Sequence, residues 1–438
     1  LRVIHSAANT IITATRWNVD GPDQGSLWRN RDFNIFWLGQ ALSVLGDSFS
    51  MVATPLLVLQ VTGSIERMGQ LTAVTGIGMI AAGLLSGVLV DRFDRRRLMI
   101  VCDCARTVLW LSVPFAWWLG HPSMALLFVT VILGALFGNT FQVASITAVA
   151  NLARRDQIAD ANGRLHATFA LMTCVGPMLS GWVCHRFGPV VSIGIDASTF
   201  GISAISLVFV RLRRSSPVAK PQALSLTRLR KELIEGAQFM WEQPVLRAVS
   251  LLLCASNLFI AARNDLLIFH VKHTLGRTDA DVGTLFGIGA LGAVFAGLVA
   301  PALRRRFGFA VCWLSAGFLV GISVGSIGML ATLSAMALTM TIVAFSDSIR
   351  GINSMTFRQE ITPDHLLGRV TSVFWMLINL SAPIGAALTT AVAAQIGSGP
   401  TISLIGAMTF AITGVALFTA IREVKPGSLV PPASEAEI

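Results

Sequence analysis

Apolar residues in this chain come in long blocks separated by short polar stretches. A helix crossing about 30 Å of hydrocarbon needs roughly 20 apolar residues. Blocks of that length predict spans near 34–59, 69–90, 98–119, 123–149, 164–185, 190–210, 246–269, 281–302, 309–330, 333–353, 371–395 and 401–421. Lipid leaves backbone N–H and C=O groups unpartnered, so a crossing segment must be a helix or part of a closed barrel. The alternating, roughly ten-residue pattern of a membrane barrel is absent. The expected fold class is an all-α integral membrane protein of twelve transmembrane helices.

The blocks repeat. Gly87 to Arg97 (GVLVDRFDRRR) follows the second span, and Gly297 to Arg306 (GLVAPALRRR) follows the eighth, about 210 residues later, as parallel six-helix repeats would place them. Asp156-Gln157-Ile158 with Gly163-Arg164 is echoed by Asp364-His365-Leu366 with Gly368-Arg369, and Gly176-Pro177 by Ala382-Pro383. Three echoes in one order divide the spans into two six-helix pseudo-repeats.

Composition agrees. Of 438 residues 54% are hydrophobic and 13% charged, against about 25% charged in soluble proteins. The net charge of +10 could suggest nucleic acid in a soluble protein. Here the basic residues lie in the loops on one side. With the N-terminus inside, only Arg67, Arg186, Lys272 and Arg277 fall outside and only Arg106 and Arg263 within spans, which makes both termini cytoplasmic. All six cysteines lie in apolar runs, where they act as small hydrophobes, and no metal-ligand spacing stands out.

The expected organisation is a cytoplasmic tail at 1–30, without the apolar core or cleavage site of a secretory signal, then a six-helix bundle at 31–210. A cytoplasmic linker at 211–245, a second bundle at 246–421 and a tail at 422–438 complete it. Within the linker Leu226, Leu229, Leu233, Ala237 and Met240 share one helical face, predicting an amphipathic helix in the inner interface with Arg228, Arg230 and Lys231 toward anionic headgroups, or else a solvated linker helix.

At Gly87 to Arg97 the sequence resembles the major facilitator superfamily, whose loop between helices two and three carries Gly-x-x-x-Asp-Arg-x-Gly-Arg-Arg; Asp94 stands here in place of the second glycine. Arg31-Asp32-Phe33, Asp103-Cys104-Ala105-Arg106 and Asp160-Ala161-Asn162 look most like the branch holding macrolide efflux and enterobactin export proteins, of drug:proton antiporter type. The resemblance implies alternating access, with Gly87, Asp91, Arg92, Arg95, Arg96 and Arg97 as a gating motif. Charge-assisted hydrogen bonds between Asp91 and these guanidiniums would break and reform between two packings; the alternative is that Arg95 to Arg97 only enforce topology. Pro301 stands where the second half would carry the aspartate, which makes the latch one-sided. Gly176-Pro177-x-x-x-Gly181 resembles the helix-five motif of proton-coupled exporters, and a plain packing kink explains it equally.

Ionisable residues at membrane depth are costly and are functional candidates by default. Asp47, midway along span one, is the first candidate for proton coupling and is expected as far from water as any carboxylate here. Asp196, about 9 Å into span six, and Arg263 and Asp265 in span seven join it. Arg263 would pair with Asp265 or Asp47 if they face one cavity, and a partner from another helix is favoured because residues two apart on a helix do not face each other. Asp103 with Arg106, and Asp347 with Arg350, read as structural i,i+3 pairs. Asn139, Gln142, Asn257, Trp375 and Asn379 are candidate substrate-cavity residues, since amides among Phe137, Phe141 and Trp110 suit an amphipathic ligand. His166 and His185 read as structural.

No Gly-Lys dipeptide occurs, which excludes a P-loop pump, and neither His-Glu-x-x-His nor Gly-x-Ser-x-Gly is present to suggest an enzyme. The expectation is a secondary transporter of the inner (plasma) membrane that exports a drug, antibiotic or siderophore by proton antiport. Its expected partners are the small-molecule substrate, protons and membrane lipids, with no cofactor, metal or nucleic acid, and it is expected to act as a monomer. Uptake or lipid flipping on the same fold, and a non-transporting sensor or scaffold, are the alternatives.

Overall fold

The computed structural model describes residues 27–152, 157–211 and 226–423. Most of the two expected tails, the linker start with Arg213, Arg214 and Pro217, and Asp156 of the repeat lie outside the described residues. So do the side chains of Asp91, Leu226, Arg228, Leu229 and Asp364.

The described residues form helices and no strand. In chain order they are α1 (Arg31–Thr62), α2 (Ile65–Arg92), α3 (Arg95–Trp118), α4 (Met124–Leu152), α5 (Ile158–Phe187), α6 (Pro189–Phe209), α7 (Leu226–Glu242), α8 (Pro244–Ile260), α9 (Arg263–Phe269), α10 (Asp279–Ile327), α11 (Leu333–Ile361), α12 (Asp364–Ile396) and α13 (Ser398–Ala416). Ten described helical stretches are long and apolar enough to cross a membrane. One of them, α10, runs for 49 residues and is two helices joined at Gly308, whose φ of 79° is left-handed and breaks the ladder. The 28 residues of α2 rise about 42 Å, also enough to cross. Dividing α10 and including α2 accounts for the expected spans, most of which begin or end a turn beyond their apolar blocks.

Local chemistry sets the boundaries. The Asn30 side chain caps α1 by accepting from the Phe33 N–H at 3.1 Å, and Gly63, at φ 63°, closes it. Asp94 caps α3 by accepting from the Arg97 N–H at 2.9 Å, which gives the departure from the family's glycine a physical role. Thr278 and Asp281 form a reciprocal capping box at the start of α10. Gly188, at φ 88°, and Gly397, at φ 90°, make one-residue turns between α5 and α6 and between α12 and α13, the repeat written in backbone geometry.

Short connections alternate, so one end of the bundle carries the described ends of the chain (the terminal end) and the other carries turns such as Gly63, Gly188 and Gly397 (the loop end). In the first half α1 packs on α5 and α6, α3 on α4 and α6, and α2 on α4; in the second α10 packs on α11 and α13, and α12 on α8. The halves meet where α5 lies on α10 and α2 on α12.

Two expectations are corrected here. Span seven is not continuous: it breaks at Ala261–Ala262 between α8 and α9, and ends in a π-turn at His270–Thr274 with the Leu275 N–H bonded to the His270 carbonyl at 3.0 Å. Such a break at membrane depth is tolerated where it lines a cavity. The linker helix α7 lays Leu233, Phe239 and Met240 against Val370, Val373 and Phe374 of α12 rather than against lipid, and Glu235 pairs with Arg369. Arg304, in the second half's arginine run, donates to Glu360 at 2.6 Å and to the Asn353 carbonyl at 3.1 Å.

Candidate functional site

The halves touch mainly toward the loop end. Gly69 of α2 faces Thr390 of α12, Gly76 faces Pro383, and Gly181 of α5 faces Gly283 of α10, where an added Cβ would collide with the partner in each case. Thr72 donates to Asp265 across the halves at 2.5 Å. Small residues allow this approach, since helices in lipid associate by close packing rather than by apolar burial. The helix-five motif therefore acts in two directions: Gly181 meets the second half, while Gly176 packs on Ser48 of α1.

Beneath this seal lies a cavity of about 820 Å³, walled mostly by α1, α2, α4 and α5, with Trp110 and Arg106 from α3 and Ala261, Asn264 and Asp265 from the break in span seven. It reaches Val149, Asn162 and His166, near the terminal ends of α4 and α5. Phe36, Phe141 and Phe169 supply apolar surface, and Gln40, Asn139 and Gln142 supply amides. That mixture suits a small amphipathic molecule. His166, read as structural from sequence, lies on the wall.

On the α1 side the wall is electrostatic. Arg106 donates to Asp47, and its guanidinium lies over the Phe200 ring at 3.5 Å and against Gly138. Asp103, one turn back on α3, stands 3.8 Å from the same arginine. Asp196 accepts from the Ser50 hydroxyl. Both Asp103 and Asp196 are fully buried, whereas 51% of the Asp47 side chain is exposed to the cavity. This reverses the expectation for Asp47: sequence gives depth along a helix, but which way the position faces depends on the neighbours. Gly46 makes room for the cluster, as a Cβ there would stand 2.5 Å from an Asp196 oxygen.

The other candidates separate. Arg263 pairs with Asp347 at 2.7 Å, not with Asp265 or Asp47, because residues two apart on a helix point away from each other. Asp347 is bonded to Arg263 rather than to Arg350, which donates to Ser256 at 3.3 Å and lies 4.3 Å over Trp313. Asn257 donates to the Ile378 carbonyl at 2.9 Å and to Ser381 at 3.0 Å, tying α8 to α12. Trp375 is half exposed, edge-on to Phe374. Asn257, Trp375 and Asn379 do not line the cavity; Asn139 and Gln142 do. Within the expected gating motif Arg96 donates to the Leu207 carbonyl at 2.8 Å and to Val208, capping the C-terminus of α6. Arg106 and Asp103 were missed as cavity chemistry, although an arginine in mid-span was a signal of it.

Two helical halves, with a cavity walled mainly by the first, sealed toward one end and reaching toward the other, define a multi-pass carrier. Residues 36–386 match the Major Facilitator Superfamily, and the chain belongs to that family of transporters. The multidrug efflux pump Tap of Mycobacterium tuberculosis (strain ATCC 25618 / H37Rv) is 26% identical over 363 residues, covering 78% of this chain and 83% of that one. The enterobactin exporter EntS of Escherichia coli (strain UTI89 / UPEC) is 21% identical over 401 residues, covering 91% and 94%. The crystal structure of the nucleoside transporter NupG superposes with a TM-score of 0.70 at 12% identity over 90% of this chain and all of that one, a likeness of fold alone.

Proposed function

We propose that this transporter exports a small amphipathic molecule, a drug, antibiotic or siderophore, across the inner (plasma) membrane by proton antiport, with both termini cytoplasmic. The observation that carries the reading is the Asp47–Arg106 pair on the wall of an apolar, amide-bearing cavity. Its likeness to an efflux pump and a siderophore exporter supports the outward direction. Asp47 couples proton movement to substrate binding, Asp196 and Asp265 hold protons behind it and at the seal, Asn139 and Gln142 contact substrate, and Arg263 positions α9 through Asp347. With the termini inside, the cavity belongs to an inward-facing state whose outer seal is the Gly181–Gly283 and Thr72–Asp265 contacts. Gly87, Asp91, Arg92 and Arg95 to Arg97 serve the opposite seal.

The test is accumulation of fluorescent cations, macrolides and siderophores in an efflux-deficient host expressing the parent or Asp47→Asn, with and without a protonophore. Proton-coupled export predicts lowered accumulation that both the protonophore and Asp47→Asn abolish. Raised accumulation of a compound means uptake instead. No change with the protein present in the membrane removes the export reading for that panel.

A further inference from the structure

Around Arg106 the chain places three carboxylates and one cation. Asp47 comes from α1, Asp103 from the same helix as the arginine, and Asp196 from α6; α4, which closes the fourth side, contributes no titratable residue. Asp103 and Asp196 are fully buried, and neither Asp103 oxygen accepts a hydrogen bond within normal reach. An ionised carboxylate there would forfeit its hydration with only the Arg106 guanidinium at 3.8 Å and the facing Ser203 hydroxyl of α6 in return, so a proton on Asp103 relieves the cost while Arg106 is held by Asp47. The arginine is held by slot rather than by bond count. Its plane lies between the Phe200 ring and the bare backbone of Gly138, its Nε has no partner, and Asp47 and Asp103 stand at either side.

We propose that Arg106 is a two-position switch shared between Asp47 on the cavity wall and Asp103 behind it, with the exchanged proton carried on Asp103 while Arg106 holds Asp47. The inference rests on the antiport reading above and says where its proton sits. Closing the 3.8 Å gap to Asp103 into a charged hydrogen bond of about 2.8 Å takes a slide of about 1 Å in the slot. The charges balance. Before exchange Asp47 is an anion paired with the guanidinium and Asp103 is neutral. When a substrate ammonium pairs with Asp47, the guanidinium passes to Asp103, whose proton leaves to cavity water as its carboxylate forms. One positive charge enters the cluster and one leaves. Asp196, satisfied on one oxygen by Ser50, keeps its state throughout.

The experiment needs no substrate. Infrared spectra of the full chain purified in detergent at pH 7 are compared for the parent, Asp103→Asn, Asp196→Asn and Asp47→Asn, reading the C=O stretch of protonated carboxyl groups. The parent is expected to show a component that Asp103→Asn removes and Asp196→Asn leaves. Asp47→Asn is expected to remove the same component, because the freed guanidinium moves to Asp103 and ionises it. Asp47→Ser makes the same comparison if the amide variant does not fold. A spectrum unchanged by Asp103→Asn overturns the placement of the proton. Persistence of the Asp103 component in both Asp47 variants overturns the movement of the arginine. A failure of export in cells leaves these spectra as they are, so the two readings fall separately.

Discussion

Gly181 of α5 and Gly283 of α10 meet across the two halves so closely that a Cβ on Gly181 would stand 2.7 Å from the Gly283 Cα and 2.6 Å from the Asp279 carbonyl oxygen. A pair of helices can approach this far only without side chains, and the approach holds the loop end shut. The same surface continues at Gly287, where a Cβ would meet the Cys174 carbonyl at 2.5 Å.

Gly181→Leu is therefore expected to open the loop end. Overpacking costs about 1–3 kcal/mol, enough to change the ratio of the two conformations by roughly 5- to 150-fold. Spin labels on the loop ends of α5 and α10 should report a longer distance than in the parent while helical content is unchanged. An unchanged distance would mean that the contact yields without moving the halves.

Thr72→Val should act on the same equilibrium through chemistry rather than bulk. It removes the hydroxyl that reaches Asp265 at 2.5 Å and leaves a buried carboxyl oxygen without that donor, a loss of about 1–3 kcal/mol. The loop-end distance should again lengthen, and Thr72→Ser, which restores the donor, should reverse most of the effect. Equal behaviour of the Val and Ser variants would assign the contact to packing alone.

Arg263 and Asp347 offer a double-mutant cycle. Their side chains are 21% and 29% exposed, so removing either partner leaves a partly buried charge. Arg263→Gln or Asp347→Asn alone should lower thermal stability in detergent, and the double variant should recover part of the loss, with a coupling of about 0.5–3 kcal/mol. Additive losses would show that the pair does not interact in solution.

Two amides should behave differently. Gln142→Ala removes a cavity wall group and is expected to reorder which compounds are exported without lowering stability. Asn257→Ala breaks two hydrogen bonds between α8 and α12 and is expected to cost about 1–3 kcal/mol of stability with the order of substrates unchanged. Melting curves and the same compound panel distinguish the two, and a reversed pattern would exchange their roles.

The fold was legible because bilayer physics writes it into composition: every crossing helix needs a long apolar block, and the repeat of the arginine runs marked the halves. Helix ends were legible to within a turn at α1 and α3, where Asn30 and Asp94 cap them, whereas α5, α11 and α12 run about two turns past their apolar blocks at the terminal end. The break at Ala261–Ala262 was not, because neither residue disfavours a helix and only the adjoining cavity makes the interruption tolerable.

By itself the sequence determined which ionisable groups lie at membrane depth: Asp47, Asp103, Arg106, Asp196, Arg263 and Asp265. The tertiary structure decided which of them meet. Depth depends on position along one helix, whereas pairing depends on the rotation of each helix against its neighbours, fixed by contacts such as Gly46 against Asp196 and Gly138 against Arg106. That is why Arg106 joins Asp47 at the cavity, Arg263 turns to Asp347, and Asp265 is left to bridge the two halves through Thr72.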